Sequence, residues 1–197
     1  MKRSVFLPVI TIAVAALVLL GASFGLNGIA AANAQKEHLR MMQTLLPGST
    51  DFVVEPYTGD DANIRSIHKG ENGFVVETVT YGYAGEITML IGVSNGGRVT
   101  GLVVRDMNET FTLGANALSD HVFLAQFLNT EGGIAVSTGE ADAFSGATGS
   151  SDTEVETYVD AISGATVTSK AIVRCVNSAV AYVTGADTVS AATSWGG

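Results

Sequence analysis

Between Arg3 and Lys36 the chain carries no charged side chain, and inside that gap Val5 to Leu26 reads VFLPVITIAVAALVLLGASFGL. As a helix, 22 residues at a rise of ~1.5 Å each reach about 33 Å, enough to cross a hydrocarbon core of roughly 30 Å. Pro8 falls in the first turn, where a missing N–H costs little. Lys2 and Arg3 precede the run, so the positive-inside rule places the N-terminus in the cytoplasm and everything after Leu26 on the other side. The rival reading is a cleaved secretory signal, since Ala32-Asn33-Ala34 resembles a small-residue cleavage site. The run exceeds the roughly 7 to 15 residues of a signal core, which favours a retained single-pass anchor in the cell (inner or plasma) membrane. Either reading sends residues 35–197 across the membrane.

With that apolar excess placed, composition constrains the remainder. A length of 197 residues suits one domain plus an appendage. The formal charge is −9, and from Met41 onward six basic residues face eighteen acidic ones, a net −12. An exported domain of that charge stays soluble beside anionic headgroups and repels phosphate backbones, so nucleic acid is excluded as a partner. The single cysteine, Cys175, forbids an intramolecular disulfide framework, and His38, His68 and His121 lack zinc-ligand spacing, so no metal site is expected. A buried, inert thiol is the expectation for Cys175, which stands between apolar helix positions.

The exported part reads as an α+β domain, an antiparallel sheet with flanking helices. Residues 36–46 (KEHLRMMQTLL) are helical in character, with Leu39, Met42 and Leu46 on one face, and Pro47-Gly48 ends them. β-rich pieces run from Ile64 to Thr80, followed by a turn at Tyr81 to Gly85. Glu86 to Ser94 and Arg98 to Arg105 flank Asn95-Gly96-Gly97, a hairpin pattern. Ser119 to Leu128 predicts a short helix with Ser119 as N-cap and Phe123, Leu124 and Phe127 inward. Glu131 to Asp152 is small and polar and reads as a long loop, whereas Lys170 to Thr184 reads as a final helix capped by Thr168 or Ser169 and stopped by Gly185. The expected layout is a cytoplasmic start at 1–4, the anchor at 5–26, a juxtamembrane linker and short helix at 27–50, the domain at 51–185 and a frayed tail at 186–197.

Chemistry concentrates ahead of the last helix, in Asp160-Ala-Ile-Ser163-Gly164-Ala165-Thr166-Val-Thr168-Ser169. A small-residue turn feeding a helix start offers free N–H groups and the positive end of a dipole, which favour a phosphate. On spacing alone, a capped structural helix without ligand explains the same residues.

The segment DAISGATVTS followed by KAIVRCVN resembles the flavinylation motif of FMN-binding domains. Such domains occur in the G subunit of the Rnf ion-translocating ferredoxin:NAD oxidoreductase and, in similar form, in the C subunit of the sodium-pumping NADH:quinone oxidoreductase. The resemblance implies that a flavin transferase joins FMN through its phosphate to the hydroxyl of Thr166. Asp160, Ser163, Gly164 and Ala165 then shape and mark the turn, and Thr168 and Ser169 lie beside the phosphate. Gly82-Tyr83-Ala84-Gly85 and the stretch Asn108 to Ala115 resemble two further segments of the family near the flavin, making Glu109, Thr110, Leu113 and Gly114 pocket candidates. Phe111 and Thr112 stand where the family usually has Pro and Gly, and Asn116 where a lysine is common. Tyr81, Tyr83 and Phe111 are candidates to flank the ring. Asp142 to Thr148 (DAFSGAT) repeats the seven-residue pattern eighteen positions upstream. A polar stretch follows Thr148 where a helix follows Thr166, which makes Thr166 the favoured acceptor.

The implied function is electron relay by a membrane-anchored covalent flavoprotein, not catalytic alone, among other membrane subunits of an Rnf-like complex. That complex couples ferredoxin:NAD electron transfer to Na⁺ or H⁺ movement. A stand-alone extracytoplasmic flavinylated reductase or shuttle, and a non-redox anchored binding module, are the alternatives. No nucleophile, base and orienting group are spaced as a hydrolase needs, so no catalytic residue is assigned.

Overall fold

A computed structural model describes residues 32–108, 119–137 and 157–185. By contacts the chain divides into Met1–Met41 and Met42–Gly197. In the first unit the described residues, 32–41, are helical and largely exposed. That helix, α1, covers 32–45, and its last turn belongs to the second unit.

The second unit is organised by five antiparallel strands in sequence order: β1 (Val53–Glu55), β2 (Ile64–Lys69), β3 (Gly73–Tyr81), β4 (Glu86–Ser94) and β5 (Val99–Met107). The central pair follows from sequence. β3 (GFVVETVTY) and β4 (EITMLIGVS) are β-branched and apolar, and they pair without a shift from Gly73↔Ser94 to Tyr81↔Glu86. The Asn95-Gly96-Gly97 connection turns β4 into β5, as its composition predicts.

β4 reads as one continuous apolar run because both of its faces are covered. Ile87, Met89, Ile91 and Val93 point into the main core, against the long helix α3 (Thr166–Thr184). On the other face the end of α1 comes close: Thr100 Oγ1 donates to the Leu45 carbonyl at 2.5 Å, and Met42, Leu45 and Leu46 are buried. A side chain at Gly92 would collide with that same carbonyl, so only glycine permits this approach.

α3 buries Thr168, Ser169, Ala171, Ile172, Cys175, Val176, Ala179 and Val180, the spacing of one helical face. Each fully buried Ile or Val contributes about 1.5–3 kcal/mol relative to an exposed one. Gly185, with φ 71°, ends the helix as expected. The helix begins at Thr166, four residues before the predicted start at Lys170, so neither Thr168 nor Ser169 caps it. Both lie inside the first turn and are buried.

The short helix α2 (His121–Ala125) sits where predicted, but Asp120 and not Ser119 caps it, accepting from the N–H groups of Val122 (2.8 Å) and Phe123 (3.2 Å). Phe123 and Phe127 anchor it through an edge-to-face contact of 5.3 Å in the core. A second, two-stranded sheet corrects the expected loop at 131–152: β6 (Ile134–Ser137) pairs in parallel with β7 (Thr157–Asp160). Among the described residues no helix is long and apolar enough to cross a membrane, and the expected anchor at 5–26 lies outside them.

Candidate functional site

β7 delivers the chain directly into the candidate turn. Asp160 closes the strand and is exposed, and the Ala161 N–H still reaches the Ser137 carbonyl at 2.9 Å. Ser163 and Gly164 occupy a tight turn in which Gly164 has φ 80°, a left-handed conformation costly for any side chain. The turn closes with Ala165 N–H on the Ile162 carbonyl at 2.9 Å. Ala165, buried, is the N-cap residue and supplies no side-chain cap, so Thr166 becomes the first helical residue and stays partly exposed.

Three observations at this point suit a phosphate. Among the described residues, the N–H groups of Thr166, Val167 and Thr168 take no backbone partner, the free donors of a first helical turn. No side-chain cap competes for them. Among the described residues the Thr168 hydroxyl is buried without a hydrogen-bond partner, and a buried donor of that kind carries a penalty of about 1–3 kcal/mol unless an acceptor arrives. A phosphate group held at this turn would supply acceptor oxygens and negative charge where both are lacking. The Ser169 hydroxyl, by contrast, is already committed: it accepts from Ile162 N–H at 3.3 Å and donates to the Ala165 carbonyl at 3.0 Å.

The direction of α3 sets which part of the sheet faces this turn. Tyr182 packs edge-on against Phe74 near the start of β3, with ring centroids 5.7 Å apart, while Arg174 donates to the Tyr81 carbonyl at its end, at 3.0 Å. The helix therefore runs back along β3, and its first turn lies towards the β3–β4 hairpin. There the Gly82 N–H closes on the Gly85 carbonyl at 2.9 Å, and Tyr81 and Tyr83 are exposed at 69% and 74%. The Asn108 N–H bonds the Glu86 carbonyl at 2.9 Å beside that hairpin. The Gly-Tyr-Ala-Gly turn and the start of the Asn108 to Ala115 stretch thus share one end of the sheet. Glu109, Thr110, Leu113 and Gly114, with Phe111, Thr112 and Asn116, lie outside the described residues, as does the upstream repeat ending in Thr148.

Sequence reasoning misses the residues that hold this end together. Asn177 grips β6, accepting from Ile134 N–H at 3.1 Å and donating to its carbonyl at 2.9 Å. Gln126 accepts from Asp160 N–H at 2.9 Å. Arg174 and Asn177, half-buried polar positions interrupting the apolar face of α3, are a signal that could have found them; Gln126 offers none. Deeper in, burial pushes the Cys175 thiol from 9.0 up to about 11, opposed only weakly by the nearby Thr78 hydroxyl and Arg174 charge, so its thiolate content is low, as expected of a buried thiol.

The signature of the FMN-binding domain matches residues 82–156 and 152–181. The chain is 36% identical over 164 residues, 77% of its length and 76% of the other's, to the G subunit of the ion-translocating oxidoreductase complex of Methanosarcina acetivorans. It is also 36% identical over 111 residues to the G subunit of the proton-translocating ferredoxin:NAD(+) oxidoreductase complex of Clostridium ljungdahlii, covering 56% of this chain and 53% of that one. The crystal structure of Shewanella oneidensis NqrC matches 69% of this chain and 65% of that chain with a TM-score of 0.44 at 20% identity, too loose to carry an argument. The chain belongs to the FMN-binding domain family, and FMN is its cofactor.

Proposed function

We propose that the chain is the G-type electron-relay subunit of an Rnf-like complex, carrying FMN as a phosphoester on Thr166 at the outer face of the membrane. The observation that carries the reading is the start of α3: the partly exposed Thr166, uncapped N–H groups and the orphaned Thr168 hydroxyl meet at the residue that the motif resemblance implies as acceptor. In this reading Thr166 Oγ would bond to the flavin-side phosphorus of a flavin dinucleotide as its phosphoanhydride breaks, releasing AMP and the hydroxyl proton.

When bound, FMN supplies the one- and two-electron chemistry. The chain's own residues tether it, Gly164 and Ala165 leaving room at the turn and Asp160 and Ser163 exposed for recognition by the transferase. Glu109, Thr110, Leu113 and Gly114 complete the pocket in this reading. Residues 5–26 anchor the chain as a single span with a cytoplasmic N-terminus, residues 27–50 link it, and 51–185 form the extracytoplasmic domain. Electrons pass to and from other membrane subunits of the complex, which couples ferredoxin:NAD electron transfer to Na⁺ or H⁺ movement. The relatives' names support this assignment.

Mass spectrometry of the full chain, produced with a flavin transferase, tests it. The expected result is an FMN adduct on the peptide containing Thr166, and its loss in Thr166→Val. A flavin found only on the peptide containing Thr148 overturns the acceptor assignment.

A further inference from the structure

Beside the main-chain bonds of Ala161 and Ala165, two side chains hold the acceptor turn. On the helix side, Ser169 is fully buried and its hydroxyl spans the turn, taking the Ile162 N–H and giving its proton to the Ala165 carbonyl. On the strand side, among the described residues β7 pairs with β6 alone, and its outward Asp160 N–H is met by Gln126 Oε1 at 2.9 Å. Gln126 is itself fixed. It is the C-cap residue of α2, its N–H bonds the Phe123 and Leu124 carbonyls, and the two buried phenylalanines Phe123 and Phe127 stand on either side of it.

We propose that Ser169 and Gln126 are positioning residues for flavin loading: they hold the Asp160 to Thr166 segment so that the Thr166 hydroxyl is presented in one conformation. This reassigns Ser169 from phosphate neighbour to latch, and it gives α2, 34 residues before the motif, a part in modification. The inference rests on Thr166 being the acceptor. An acceptor that must be aligned for in-line displacement loses rate when its segment samples other conformations, because roughly ångström misplacements cost up to about a hundredfold.

The experiment follows covalent flavin incorporation into the full chain over time, with purified flavin transferase and its flavin dinucleotide, by in-gel fluorescence and peptide mass. Gln126→Leu removes the acceptor oxygen at nearly constant size, and Gln126→Glu retains one. Ser169→Ala removes the latch, while Thr100→Val deletes a hydroxyl bond on the opposite face of the sheet and controls for lost stability. Incorporation in Gln126→Leu and Ser169→Ala is expected to slow roughly tenfold, with Gln126→Glu and Thr100→Val near the wild-type rate. Amide exchange in the chain before loading supplies an independent readout. Peptides covering Asp160 to Ala165 are expected to exchange faster in Gln126→Leu and Ser169→Ala alone. Flavin on Thr166 at the wild-type rate in both variants overturns the latch and leaves the acceptor standing. Slowing in Thr100→Val equal to theirs also overturns it, as lost stability would then explain the rate. A wild-type chain without flavin on Thr166 overturns the acceptor and the latch together.

Discussion

The two sheets of this domain are built on opposite principles. β3 and β4 exchange a nine-pair main-chain ladder, and α3 and the end of α1 cover their two faces. Among the described residues β6 and β7 share four residue pairs, with further bonds from the amide side chains of Asn177 on α3 and Gln126 at the end of α2. The first arrangement is a cooperative core whose stability comes from burial. The second, with fewer main-chain bonds, is expected to open locally at a smaller free energy. The domain thus keeps its candidate acceptor turn on the weaker sheet while α3, rooted in the stronger one, fixes where Thr166 sits.

The largest effect should come from breaking the strong side. Ile172 is fully buried where α3 meets the sheet, and Ile172→Ala should cost about 2–5 kcal/mol of global stability, read as a lower denaturant midpoint with an unchanged slope. A fall below about 1 kcal/mol would show that α3 is not integral to the core.

The same interface predicts a pH dependence. The Cys175 thiol is neutral in the folded state up to about pH 11 but ionises near 9.0 once unfolded. Its folded pKa is raised, so its contribution is complete below pH 9.0 and is lost as pH climbs towards about 11. A separation of about two units corresponds to roughly 2–3 kcal/mol across that window. Burial also raises the Tyr182 hydroxyl, with Glu55 and Tyr57 adding to it, so the tyrosine loses stability in the same direction. Comparing wild type with Cys175→Ala separates the two: the decline from pH 9 to 11 should become shallower in the variant, and an identical decline would mean the thiol is not buried as described.

Asn177→Ala addresses the weak side. It removes both bonds to Ile134 and leaves that partly buried backbone unpaired, at a cost of about 1–3 kcal/mol. The signature matters more than the size. Hydrogen exchange should accelerate in peptides from β6 and β7 and stay unchanged in β3 and β4. Uniform acceleration would show one cooperative unit and dissolve the contrast between the sheets.

How much of this is legible in the sequence divides along the same line. The β4–β5 hairpin, the bulk of α3 with its Gly185 stop, and the candidate turn can be read because long β-branched runs, helical spacing and glycine punctuation are local signals. β6 reads as loop and β7 leaves no mark, since four residues carry no usable periodicity and their pairing joins segments 23 positions apart. The start of α3 reads late because Thr166 to Ser169 resemble capping residues in isolation. Only the fold shows Ser169 buried and doubly bonded behind a turn that Gly164 makes possible. Gln126 is an ordinary helix-end glutamine until β7 is laid beside it.

The smallest predicted effect sharpens the comparison furthest. Asp120 caps α2 through two backbone N–H groups, and Asp120→Ala should cost about 1 kcal/mol. On five helical residues, that loss frays the element carrying Gln126, so the variant should also speed exchange at the Asp160 amide, which Asp120 does not touch. If α2 supports β7 only through Gln126, then Asp120→Ala combined with Gln126→Leu should expose β7 no more than Gln126→Leu alone, because the cap acts on a bond already missing. Two effects that simply add would instead show α2 bracing the acceptor segment by a second route, such as the packing of Phe123 and Phe127 behind it.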